Sequence, residues 1–253
     1  MKSLAIIPAR GGSRRIPRKN VRLFHGKPII AYSIETARAC GLFDRILVST
    51  EDQDIAAVAK AYGAKVSQRP MAMARDSVGT QEVARDALQR YIASAHGTPP
   101  EYACCIYATA PLMTAEDLRA GLDMLQHGTK PYVYTVGPDG QDAGNFYWGR
   151  VKSFVDGVPL EGNSATLTLP AERVCDINVE DDFQRAERLY AALHQQRCRS
   201  PSGRCDQSTC VIEGACQWPA PCQHDHRLVP TTDPRIPELA HFACTKCGHI
   251  LPT

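Results

Sequence analysis

The sequence predicts an α/β protein with a parallel, doubly wound sheet. Two apolar runs, Leu4-Ala5-Ile6-Ile7 and Ile46-Leu47-Val48, read as strands buried on both faces. Each leads into a helical pattern, and three such strand–helix steps fit into about 65 residues, the rhythm of βαβ units. The first strand also ends at Pro8 in a loop with two glycines, Ser13 and five cations: Arg10, Arg14, Arg15, Arg18 and Lys19. Glycines let backbone N–H groups approach an anion, and the cations neutralise it. Such a loop at the carboxyl end of a strand is where α/β folds hold phosphate. It matches neither the Walker pattern nor G-x-G-x-x-G, and a solvated basic turn is the plainer alternative.

The remaining elements follow in order. Pro28 opens a helix carrying Ile29, Ile30, Ile34 and Ala37, which Gly41 ends. Residues 45–50 form the second strand. Asp52 caps a helix with Ile55, Val58, Ala59 and Tyr62, and residues 64–66 form a short third strand. A crossover loop from Arg69 precedes a helix over 81–92. Residues 103–108 read as another buried strand. Thr114 and Asp117 make a capping-box start for a helix striped by Leu118, Leu122 and Leu125. Residues 132–136 read as a strand, and Asn145, Phe146, Tyr147 and Trp148 form a strand-like run. The stretch 174–183 reads as a strand that leads into a last helix, ending near Leu193.

Composition narrows the function. The chain has 253 residues, a formal net charge of +2 and 43% hydrophobic residues, enough for a real core and too balanced for a nucleic-acid binder. No apolar run approaches the roughly 20 residues that span a bilayer. Met1-Lys2-Ser3 runs straight into the first strand, so no signal peptide and a cytoplasmic location are expected. Eleven cysteines then suggest thiols and metal ligands rather than disulfides.

The motif A-R-G-G-S-x-R-I-P-x-K-N, over residues 9–20, resembles the signature loop of the sugar-acid cytidylyltransferases, which make CMP-activated nonulosonic acids. G-K-P-I-I-A-Y-S-I-E-T-A, F-D-R-I-L-V-S-T-E-D and R-P-M-A-M-A-R-D-S-V-G-T resemble the same family, the last with Met73 where the family has Leu. Y-A-T-A-P, from Tyr107, is similar to the branch that activates pseudaminic acid. The resemblance covers residues 1–194. It implies a Rossmann-like, three-layer nucleotide-diphospho-sugar transferase fold (GT-A-like). It also implies a reaction in which the anomeric hydroxyl of the sugar acid attacks the α-phosphorus of CTP and pyrophosphate leaves.

Roles follow from that resemblance. Arg10 and Lys19 would take the triphosphate, with Ala9, Gly11, Gly12 and Ser13 shaping the loop. Asn20, Arg69, Asp76 and Thr80 would fix base and ribose. Tyr107, Thr109, Asn145, Phe146 and Tyr147 would face the sugar. The stretch from Asp176 to Phe183 resembles the family pattern D-[IV]-[DN]-T-x-E-D-[WF], with Val179 where the family has Thr and Asp181 where it has Glu. On a strand, Asp176 and Asn178 share a face, and two oxygen donors there suit Mg²⁺, with Asp176 as the main ligand. Asp181 and Asp182 fit the start of the last helix better than a metal site. In the family, some tens of residues that pack against a partner subunit precede the D-A-G-x-F-Y-W motif. Here only residues 137–141 stand between the two strands. A homodimer with a weakened interface is therefore expected.

From residue 195 the composition turns to Ser, Pro, Gly and Cys: residues 195–219 as a linker or part of a metal module, and 220–253 as a small module resembling a zinc ribbon. Cys222, His224, Cys244 and Cys247 are the expected structural Zn²⁺ ligands; His226 can replace His224, and His249 is a spare. Cys198, Cys205, Cys210 and Cys216 are either a second site or free thiols. Two further readings stay open. One is a cytidylyltransferase for N-acetylneuraminic acid or another keto-sugar acid. The other is an inactive nucleotide-binding remnant that binds a partner through its zinc ribbon.

Overall fold

The computed structural model describes residues 2–94, 99–197, 226–229 and 241–244. The chain divides into two compact units, Met1–Ala191 and Ala192–Thr253. In the first, β1 (Ser3–Pro8) is the central strand. A small hairpin follows, β2 (Leu23–Phe24) and β3 (Lys27–Pro28), and then α1 (Ile29–Ala39). Next come β4 (Arg45–Thr50), α2 (Gln53–Ala61), β5 (Lys65–Gln68), α3 (Thr80–Ser94), β6 (Tyr102–Ile106) and α4 (Ala115–His127). The unit continues with β7 (Tyr132–Val136), β8 (Asp142–Arg150), α5 (Val151–Val155) and β9 (Ser164–Thr168), and α6 spans Glu180–Arg197.

Seven strands make one sheet in the order β5-β4-β1-β6-β8-β7-β9. Of the seven, β8 alone runs antiparallel to its neighbours. The strand order reverses between β4 and β6, on either side of β1, so the carboxyl ends of β1 and β6 border the crevice where α/β sheets bind ligands. The expected alternation explains the burial. Ala5 and Ile7 face α1, α2 and α4 in one core. Leu4 and Ile6 face α3 and α5 in the other. Helices thus cover both faces, which is the three-layer arrangement.

The capping box forms as its sequence dictates: Thr114 Oγ1 accepts from Asp117 N at 3.3 Å and Asp117 Oδ2 accepts from Thr114 N at 2.9 Å. Trp148, fully buried, donates from Nε1 to Leu118 O at 3.0 Å and fastens β8 to α4. β7 and β8 are joined by the tight turn at residues 137–141, with Gly137 N bonded to Gln141 O at 2.8 Å.

One expectation is corrected. Residues 174–178 form no strand but an extended segment without ladder partners. Cys175 and Ile177 are buried and Asp176 is exposed, so the alternation survives without pairing. The buried Asp117 anchors the segment's start through an ion pair with Arg173.

In the second unit, β10 (His226–Val229) pairs antiparallel with β11 (His241–Cys244). Cys244 ends β11. Cys222, His224, Cys247, His249 and the four cysteines Cys198, Cys205, Cys210 and Cys216 lie outside the described residues. Among the described residues, no helix is long and apolar enough to cross a membrane.

Candidate active site

The basic loop is held at both ends. Ile16 is fully buried and pins its middle, while Asn20 Nδ2 donates to Arg10 O at 2.9 Å across its neck. Asn20 is itself buried. Gly11 answers a packing demand: a Cβ there would sit 2.3 Å from Asp52 Oδ2. Its N–H donates to Glu51 Oε1 at 2.7 Å, so in this state a carboxylate occupies that amide. A Cβ at Gly12 would meet open space.

The cations divide their partners. Arg10 and Arg14 converge on Asp76, Arg14 at 3.4 Å. Arg18 is drawn instead to the start of α2, pairing with Asp52 at 2.8 Å and Asp54 at 2.5 Å. Lys19 Nζ donates to Ile177 O at 2.6 Å, and Arg15 Nη2 donates to Asn178 Oδ1 at 2.9 Å. Burial lowers the Lys19 pKa, with Asp176 opposing and Arg15 and Arg10 adding to the shift. The loop therefore meets the Asp176 segment, which enters from far along the chain.

Asp176 lies beside Asn178, whose Nδ2 donates to Asp176 Oδ2. Asp182 accepts from Asn178 N at 2.8 Å and Val179 N at 2.9 Å, capping α6. The other flank of Asp176 is β8. Gly144 has φ +65°, and a Cβ there would fall 2.8 Å from Asp176 Oδ1. Gly144 N donates to Asp142 Oδ1 at 2.8 Å. Partial burial raises the Asp142 pKa; the Gly144 bond opposes this and Asp176 adds to it.

A cleft of about 320 Å³ opens beside these carboxylates, lined by Tyr107, Tyr134, Asp142, Tyr147, Ser164 and Thr166 among others. Its outer wall belongs to β9 and the loop before it. Tyr107 follows β6 and shares a hydrogen bond with Thr80, the first residue of α3; burial lifts its phenol far above the ordinary range, with Asp142 adding. Phe146 and Tyr147 are buried and also border the cleft. The Phe146 ring lies against Gly121 of α4. Thr109 and Asn145 are buried, and Asn145 Nδ2 finds no hydrogen-bond partner among the described residues.

Arg69 sits deeper than its expected nucleotide role suggests. Its guanidinium is buried and donates to Ser49 O at 2.7 Å and Ser49 Oγ at 3.3 Å, with Glu51 a long 3.9 Å away. Glu51, Asp142, Gly144, Tyr134, Ser164 and Thr166 also meet the loop, Asp176 or the cleft. The sequence marks them only by the T-E-D end of β4 and an Asp two residues before a glycine in D-A-G.

The family model described as Cytidylyltransferase matches residues 4–156. The pseudaminic acid cytidylyltransferase of Campylobacter jejuni is 32% identical, over 77% of this chain and 99% of the relative. A CMP-N,N'-diacetyllegionaminic acid synthase of Legionella pneumophila is 52% identical over a shorter match, 26% of this chain and 28% of the relative. Among solved structures, a CMP:2-keto-3-deoxy-manno-octonic acid synthetase complexed with CTP superposes with a TM-score of 0.60 at 16% identity, covering 76% of this chain and all of that one. That likeness speaks for the fold, and the sequence matches speak for the family. The chain belongs to the cytidylyltransferase family, enzymes of the nucleotidyltransferase class.

Proposed function

We propose that this chain transfers CMP from CTP to the anomeric hydroxyl of a nonulosonic acid, with pseudaminic acid as acceptor, and releases pyrophosphate. The carrying observation is the junction of Lys19 with the Asp176 segment, Nζ to Ile177 O at 2.6 Å, next to the cleft lined by Tyr107 and Asp142. That contact supports the reading, because it joins the basic loop, the Asp176 carboxylate segment and the cleft at one end of the sheet. The named relatives support the choice of acceptor.

The reaction asks for positioning and charge neutralisation more than covalent chemistry. The acceptor hydroxyl oxygen bonds to the α-phosphorus as its proton passes to water, and the bond from the α-phosphorus to the α–β bridging oxygen breaks in line, its electron pair leaving on pyrophosphate. Arg10 releases Asp76 to take charge that builds on the departing pyrophosphate, and Lys19 neutralises the adjacent phosphates. Gly12 and Ser13 present backbone to the nucleotide. Thr80 and Asp76 border the ribose side, and Arg69 braces the end of β4 beneath it. Tyr107, Thr109, Asn145 and Tyr147 orient the sugar. Asp176 is a hard oxygen donor and suits Mg²⁺, which when bound would neutralise phosphate charge.

The turn at residues 137–141 carries no arm, so we place the acceptor wall within one chain, at β9, and give any homodimer a minor part. The tail is proposed as a structural zinc module on Cys222, His224, Cys244 and Cys247, in a cytoplasmic enzyme. The function is tested by turnover: CTP, Mg²⁺ and the acceptor should yield a CMP-sugar and one pyrophosphate.

A further inference from the structure

Asn178 stands where the family resemblance expects a second metal ligand, yet its amide is committed on both sides. Its Nδ2 donates to Asp176 Oδ2, and its Oδ1 accepts from Arg15 at 2.9 Å. A carboxylate needs a donor and a guanidinium needs an acceptor, so only this orientation serves both. The amide oxygen is thereby turned away from Asp176.

The backbone of β8 delivers a different oxygen donor. The β7–β8 ladder shifts register between Tyr134 and Val136, opposite the Asp142 end of β8. Gly144 then turns into the left-handed region, φ +65°, where a side chain would be strained. The same residue touches both carboxylates. Its N–H binds Asp142 Oδ1 at 2.8 Å, and its α-carbon leaves no room for a Cβ against Asp176. Bulges of this kind re-aim a side chain beside a site. Two like charges brought together around one glycine repel, and the nearby cations are already engaged: Lys19 with Ile177 O and Arg15 with Asn178.

We propose that Asp142, not Asn178, is the second protein ligand of the divalent cation held by Asp176, and that Asn178 is a positioning residue that orients the Asp176 carboxylate. This deepens the function proposed above and rests on its metal-dependent reading. Asp142 also lines the cleft, so the cation would lie between the nucleotide loop and the acceptor.

The probe is Mn²⁺ alone, titrated into the purified full chain and followed by electron paramagnetic resonance. The wild type should show one site involving Asp176. Asp142→Asn keeps the shape and the Gly144 bond, and should weaken Mn²⁺ at that site about ten-fold or more. Asn178→Ala should weaken it less than Asp142→Asn does. Wild-type Mn²⁺ affinity in Asp142→Asn would overturn the assignment. Paramagnetic broadening of the Gly144 amide signal in the unmodified protein checks the placement without a variant; no broadening at saturating Mn²⁺ counts against it. Because neither readout needs turnover, an inactive chain that binds Mn²⁺ through Asp142 would sink the function and spare this inference.

Discussion

Arg10 illustrates the chemistry of single residues. Its guanidinium pairs with Asp76, and both side chains are substantially open to water. An exposed pair of this kind contributes about 0–1 kcal/mol. Arg10→Ala should therefore leave the melting temperature nearly unchanged. If Arg10 meets charge on the leaving pyrophosphate, turnover should fall about 10²–10³-fold, the scale of losing one preorganised charge-stabilising donor. Near-normal turnover would remove Arg10 from the phosphate site. The cationic loop was legible because its residues are contiguous. Asp142 was not, because its importance depends on Asp176, 34 positions away, and on a ladder shift that no local pattern announces. Glu51 was hidden for the same reason: its partner is the Gly11 amide. Arg69 shows the reverse, a residue suited to nucleotide contact that the fold employs against Ser49.

Among elements, the strands and helices with strong patterns were readable. β1, β4 and β6 are continuous apolar runs, and α4 carries its capping box in plain sequence. β2, β3, α5 and β9 lack such marks. The β2–β3 turn is His25-Gly26, both residues at positive φ, where Asn-Gly or Asp-Gly would be the usual signal. His25 is steadied there by Tyr190 and by Glu187 O at 2.9 Å. β9 is an edge strand rich in Ser and Thr, and α5 is only 5 residues long. Residues 174–178 alternate like a strand but find no ladder, since their anchors are Cys175, Ile177 and the Arg173–Asp117 pair. The element most exposed to a single change is the bulged start of β8. Gly144→Ala should cost about 1–2 kcal/mol for the left-handed conformation alone. The clash with Asp176 should add to this and weaken Mn²⁺ binding. A variant with unchanged melting and unchanged Mn²⁺ affinity would show that the approach of the two carboxylates is not rigid.

At the largest scale, the three-layer unit sets the proposed site at the strand-order reversal, and β9 walls the cleft that the proposal gives to the acceptor. The tail should add a metal-dependent module. Metal analysis of the purified full chain should find one zinc per molecule, lost together with the Cys244→Ser or Cys247→Ser side chain; a folded chain that carries no zinc would remove the module. The central claim is the transfer itself. It is tested most directly by measuring pyrophosphate release with CTP and Mg²⁺, comparing pseudaminic acid, N-acetylneuraminic acid and no acceptor. Release should depend on pseudaminic acid and be matched by a CMP-sugar product. No release with any acceptor, from folded protein that binds CTP, would contradict it and leave a nucleotide-binding protein without transferase activity.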